Sequence, residues 1–135
     1  MKIYRTRRNG KLMAVRAYLK GPEAEHFPRL LIDTGSTYTI IGKEILKAIG
    51  CSLATSSRQK CIVAASGYMD IPSVQVERFN CLGQHLENMF VLAHTFPSST
   101  YIDGLLGMDF LSKYVLEIRP KSGDIVRCRI QSPSR

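Results

Sequence analysis

The apolar run Leu30-Leu31-Ile32 ends in Asp33-Thr34-Gly35-Ser36, and this Asp-Thr-Gly turn occurs once in 135 residues. Three branched aliphatics followed by turn residues read as a buried strand that delivers Asp33 into a tight turn. Asp caps the local backbone there, and Gly supplies a conformation that other residues avoid. The same residues make an ordinary turn elsewhere, so the tripeptide alone establishes only a strand end. Its single occurrence constrains more. There is no second Asp-Thr/Ser-Gly and no fixed-period repeat, so one chain carries one such carboxylate. A chain of 135 residues has room for one core but not for two duplicated lobes. The nearest candidate for a second copy, Asp103-Gly104-Leu105, lacks the hydroxyl residue after Asp and reads as the start of a later turn.

Further along, Ile102-Asp103-Gly104-Leu105-Leu106-Gly107-Met108-Asp109-Phe110-Leu111 sets an apolar pair and a glycine before a short helical pattern. A strand ending in Asp-Thr-Gly, followed by an apolar-apolar-Gly segment entering a short helix, resembles the retropepsin-like aspartic peptidases. The resemblance runs from about Arg29 to Val126, with Thr39-Ile40 keeping the family's pattern of Thr followed by an aliphatic. Leu105-Leu106-Gly107 resembles the segment that packs beneath the catalytic loop. Viral members follow the catalytic glycine with Ala and two acidic residues, where this chain has Ser36-Thr37-Tyr38. They also place a basic residue after the downstream glycine, where Met108 stands. The chain therefore looks closer to cellular, especially bacterial, members.

The resemblance implies a mostly β, closed retropepsin-like barrel or sandwich with one or two short helices and a flap hairpin. The whole chain, 1–135, would be one domain, with its core at about 11–130 and a frayed tail at 131–135. Its implied function is a homodimeric aspartic endopeptidase acting on polypeptides, with Asp33 from each subunit holding the attacking water and with no cofactor or metal. Thr34 would hold the two loops together, Gly35 would leave room beside the carboxylate, and Ser36 could hydrogen-bond the ionised Asp33. Thr37, Tyr38, Ile40 and Leu105 would bound the substrate, with Ala65, Ser66 and Gly67 at the flap tip. Ile40 and Leu105 read equally as plain core packing. A dimerisation or peptide-binding module on the same fold, without hydrolysis, is the alternative.

Period-two and β-branched segments dominate the rest of the chain. Strands are predicted at Leu12 to Leu19, Arg29 to Ile32, Thr37 to Ile41, Lys60 to Ala64, Tyr68 to Ile71, Val74 to Phe79 and Asn88 to His94. Val115 to Ile118 and Asp124 to Ile130 should form a terminal hairpin around Pro120-Lys121-Ser122-Gly123. Gly42 to Gly50 carries Ile45, Leu46 and Ile49 on one helical face and ends in Gly, and Gly107 to Tyr114 reads as a second helix. Lys2 to Arg8 reads as a disordered arm or as a strand contributed to a dimer interface.

The net charge of +8 comes largely from both ends of the chain. No nucleic-acid motif or aromatic interleaving accompanies it, so a solvated basic face is expected and no nucleic-acid partner. Cys51, Cys61, Cys81 and Cys128 are widely spaced, without Cys-x-x-Cys or a His cluster, which argues for free thiols and against zinc. His26, His85 and His94 stand apart from one another as loop or core-edge residues. The charged N-terminus has no apolar stretch after it, so neither a signal peptide nor a membrane helix is expected, and the protein is read as cytoplasmic.

Overall fold

The structure is a computed structural model and describes residues 2–9, 11–53, 59–64 and 67–128. The chain begins with β1 (Lys2–Arg5), β2 (Arg7–Asn9), β3 (Leu12–Arg16), β4 (Tyr18–Lys20), β5 (Glu25–His26) and β6 (Arg29–Ile32). After the Asp33 loop come β7 (Ile40–Gly42), α1 (Lys43–Ala48), β8 (Gln59–Ala64), β9 (Gly67–Cys81) and β10 (Gln84–His94). It closes with β11 (Gly104–Leu106), α2 (Met108–Leu111), β12 (Val115–Arg119) and β13 (Asp124–Cys128). The expected mostly β chain with two short helices is what forms.

One large sheet has the order β2-β3-β6-β11-β7-β10-β9-β4-β5, with β8 paired to β9 beside that path. A second sheet, β1-β13-β12, ties the two ends of the chain together. The insertion of β11 between β6 and β7 positions the site. Leu105 pairs with Leu31 in parallel on one side and with Ile40 in antiparallel on the other. The 33–39 loop must therefore bridge two strands that do not touch, and the residues after β11 lie beneath it.

Several expected elements are divided or merged, each for a visible reason. Leu12 to Leu19 breaks at Ala17, because β3 pairs with β6 whereas β4 pairs with β9. Tyr68 to Ile71 and Val74 to Phe79 are one long strand, β9, despite Pro72. Through Pro72, opposite Gln59 at the end of the ladder, this strand pairs with β8, and from Ser73 on it pairs with β10. Proline thus sits at the handover, at the last pair of one ladder, where a missing N–H leaves the rest of both ladders intact. Thr37 to Thr39 does not join β7, because its polar groups bond to residues 107–109 instead. The second helix is only Met108–Leu111. The terminal hairpin forms as expected through Cys128, and Lys2 to Arg5 is a strand on the chain's own β13. The expected tail at 131–135 lies outside the described residues.

The core lies between the sheet and both helices. Leu19, Leu30, Ile41, Leu46, Val76, Phe79, Leu106 and Phe110 are fully buried. Phe110 of α2 meets Phe79 of β9 edge-on at 5.7 Å, which fixes the downstream segment against the sheet. A smaller cluster of Ile40, Ile71 and Leu92 is flanked by Tyr38, Ile62, Met69, Phe96 and Leu105, and it joins the Asp33 loop to the β8–β9 hairpin. Among the described residues, no helix is long and apolar enough to cross a membrane.

Candidate active site

Asp33 leaves β6 half-buried, and its backbone is fixed at both ends. Its N–H donates to Leu106 O at 3.1 Å, and its C=O accepts from Ser36 N at 3.2 Å. Its Oδ1 accepts from Gly35 N at 3.0 Å, which orients the carboxylate. A Cβ on Gly35 would stand 3.3 Å from that same oxygen, tighter than ordinary packing. Gly35 does not take a positive φ, which corrects the turn expectation; the lack of a Cβ instead leaves clearance beside the carboxylate.

Residues 106–110 grip the loop from below. Met108 N donates to Ser36 O at 2.7 Å, and Asp109 N donates to Thr37 O at 3.0 Å. Thr39, wholly buried, donates from Oγ1 to Asp109 Oδ1 at 2.7 Å and accepts from Gly107 N at 3.2 Å. The Asp109 carboxylate also accepts from Thr39 N at 3.0 Å and from Phe110 N at 2.8 Å. A carboxylate with three donors behaves as a fixed post, because charge-assisted bonds are about twice as strong as neutral ones. Sequence reasoning quoted Asp109 inside the motif but gave it no role. Its signal was an acidic residue in the first turn of the short helix that follows the apolar-apolar-Gly segment.

The sequence-predicted residues Asp33, Gly35, Ser36, Thr37, Tyr38, Ile40 and Leu105 line one cavity of about 530 Å³, together with Cys61, Ile62 and Val63 of β8. Ile40 is buried in the small cluster and also faces the cavity, so core packing and pocket wall are both true of it. Thr34 is exposed and does not line the cavity. Of the flap-tip residues, Gly67 is exposed at the start of β9 with φ +121, whereas Ala65 and Ser66 lie outside the described residues. The β8 residues were missed because their alternation marked a hairpin without showing which face turned inward. A larger hollow of about 860 Å³, over Tyr18, Lys20, Glu77, Arg78, Asn80, Glu87 and Asn88, is remote in topology from Asp33, and its charges pair internally as Lys20–Glu77 and Arg78–Glu87.

Ser36 corrects a second expectation. Its Oγ donates to Tyr38 O at 2.7 Å, two residues along its own loop, and not to Asp33. The acidic limb of kcat/KM against pH should therefore superimpose for the parent and Ser36→Ala, with a loss of roughly 1 kcal/mol in stability from the missing turn bond. An acidic limb displaced upward in the variant would show that the hydroxyl serves Asp33 after all.

The thiols differ sharply. Burial pushes Cys81 up to about 12, and it also raises Cys51, which is likewise buried; Cys61 is exposed on the cavity wall. Since only the thiolate reacts, Cys81 at pH 8 has on the order of 10⁻⁴ of its molecules in reactive form. Iodoacetamide at pH 8 should label Cys61 in the folded protein and leave Cys81 intact, as peptide mass mapping would read. Cys81 reacts more readily as pH rises toward that value. Equal labelling of the two would refute the buried placement of Cys81.

The sequence profile described as aspartyl protease matches residues 15–110, which includes both the Asp33 loop and the segment beneath it. No curated protein matches the chain. Solved structures do. A retropepsin-like aspartic protease from Rickettsia conorii superposes with a TM-score of 0.68 at 17% identity, over 93% of this chain and 99% of that one. EIAV protease, complexed with the inhibitor HBY-793, gives 0.57 at 17% identity, over 80% and 92%. The retroviral protease-like domain of Ddi1 from Leishmania major gives 0.58 at 13% identity, over 90% and 92%. At these identities the structures speak for the fold, and the profile match speaks for the family. With one Asp-Thr-Gly loop held on an inserted β11, the chain belongs to the aspartyl protease family and has a retropepsin-like fold.

Proposed function

We propose that the protein is a homodimeric aspartic endopeptidase whose active site closes only when two Asp33 loops meet across a twofold axis. The observation that carries this reading is the shared cavity, with Asp33 and its loop on one side and β8 of the hairpin on the other. Aspartic peptidase chemistry needs two carboxylates around one water, and a single chain supplies one. Thr34, exposed beside Asp33, is free to reach the partner's loop.

Two carboxylates roughly 3 Å apart cannot both ionise easily, so the pair shares one proton. The ionised member takes a proton from the water as it attacks the peptide carbonyl. The protonated member donates to the carbonyl oxygen and stabilises the developing charge. No covalent intermediate forms, and the roles belong to the pair rather than to either subunit. Substrate would lie extended beneath the β8–β9 hairpin acting as a flap, taking main-chain hydrogen bonds for affinity. Tyr38, Ile40, Ile62, Val63 and Leu105 give that cavity apolar walls beside the polar Asp33, Ser36 and Thr37, so apolar side chains next to the scissile bond should be accommodated there.

Dilution tests the two-chain site. Below the dimer dissociation constant, the rate of cleavage of an unfolded polypeptide should fall with the square of protein concentration, and sedimentation should show monomer over the same range. Sedimentation showing only monomer at concentrations where specific activity is undiminished would sink the reading.

A further inference from the structure

The charge is unevenly divided. Residues 1–16 and 112–135 hold twelve Lys and Arg against two acidic residues, a net of +10, whereas 17–111 hold seven against nine, a net of −2. The fold gathers described residues of both segments into the β1-β13-β12 sheet. Within it Lys2 stands directly opposite Arg127, and like charges so placed repel. The two acidic residues of these segments are engaged elsewhere. Asp124 faces Arg5 at 3.6 Å, and Glu117 pairs with Arg119. Asp124 and Glu117 also fall on the opposite face of the sheet, since their register positions are odd steps from Arg127 and from its neighbour Leu116.

On the face that Lys2, Tyr4 and Arg127 share, two polar atoms are buried without a hydrogen-bond partner: Tyr4 OH and Arg127 Nε. Tyr4 OH and Nη2 of the same Arg127 guanidinium both lie against the tight turn between β9 and β10. A Cβ added to Gly83 there would collide with the Tyr4 hydroxyl and lie 3.4 Å from Arg127 Nη2. Leu82 and Gly83 take φ of 48° and 75°, so the turn presents bare backbone at this point. The guanidinium lies over the Tyr114 ring, with its carbon 5.9 Å from the centroid. Nε and Nη2 form one edge of a guanidinium, the fork that matches two oxygens of a carboxylate or phosphate.

We propose that Arg127, Tyr4 and Lys2 form an oxyanion site at the seam between the terminal sheet and the β9–β10 turn. Arg127 donates two parallel hydrogen bonds to the anion, the Tyr4 hydroxyl donates a third, and the Lys2 ammonium adds charge from the exposed side. The occupant satisfies both orphan donors, relieves the Lys2–Arg127 repulsion and ties β1 to β13. Phosphate and carboxylate share this chemistry, and the site is independent of Asp33.

Calorimetric titration at fixed ionic strength tests the proposal, with inorganic phosphate in one arm and acetate in the other. The proteins are the full chain as the parent, Tyr4→Phe and Arg127→Gln, each also carrying Asp33→Asn in a parallel set to separate the result from peptidase activity. Saturable one-site binding is expected in at least one arm, and the tighter arm identifies the source of the oxyanion. Tyr4→Phe should weaken it about fivefold, the effect of one hydrogen bond. Arg127→Gln should weaken it by roughly tenfold or more, as a charge-assisted pair requires. Tyr4→Phe keeps the packed ring and decides the matter if Arg127→Gln fails to fold. Absence of saturable binding by the parent in both arms, or equal affinity in the parent and Tyr4→Phe, overturns the site.

Discussion

The Asp33→Asn protein should melt at the parent's temperature and cleave an unfolded polypeptide at least about 10⁴-fold more slowly, the upper range of what general acid–base groups contribute. The substitution is nearly isosteric. The hydrogen bond that orients the Asp33 side chain comes from Gly35 N to Oδ1, and an amide oxygen accepts it equally well. The loop is fixed by main-chain bonds to Leu106 and Ser36, which no side-chain change removes. On the proposed mechanism, what disappears is the ability to take a proton from water and to return one to the carbonyl oxygen. In a homodimer both members of the pair change at once, so no intact half remains. Thermal melting and kcat/KM on the same preparation separate the outcomes. A parent-like rate would remove Asp33 from the chemistry. A large fall in melting temperature would mean that the carboxylate holds the loop and that the water is held elsewhere.

How much of this was legible in the sequence can be traced residue by residue. Leu30-Leu31-Ile32 followed by Asp-Thr-Gly was readable because a buried strand and a turn are local patterns, carried by adjacent residues. Leu105-Leu106-Gly107 was readable only through resemblance, since three apolar residues do not say which loop they lie under. Pairing partners were the hidden part. Nothing adjacent in sequence reveals that β11 enters between β6 and β7, or that β9 trades β8 for β10 at Pro72. Side-chain direction was hidden for the same reason. Ser36 donates to Tyr38 O, a partner its sequence neighbours do not single out, and Asp109 was an unassigned helix residue until the fold set it against Thr39.

Gly107→Ala should cost the enzyme at least about 100-fold in kcat/KM even where the variant folds. Gly107 lies between β11 and α2 with extended backbone, φ −101°, ψ −176°, so conformation does not demand glycine. Space does. A Cβ there would stand 2.5 Å from Tyr38 C and 2.9 Å from Ser36 O, closer still to Tyr38 O, and each of these is backbone that cannot rotate away. The segment beneath cannot give, because Leu106 and Phe110 are fully buried and Phe110 is seated on Phe79. The loop must therefore rise, stretching the bonds from Met108 N, Asp109 N and Gly107 N that hold it. Misplacing a reacting group by about 1 Å costs on the order of 10²-fold. Thr39→Val serves as the comparison. It removes the hydroxyl between Asp109 and Gly107 without adding bulk beneath the loop, and it should lose about 1–3 kcal/mol of stability through unsatisfied partners. Urea unfolding and kcat/KM measured for both variants separate steric lifting from lost bonding. Gly107→Ala keeping full activity would show that the loop does not rest on the segment beneath it.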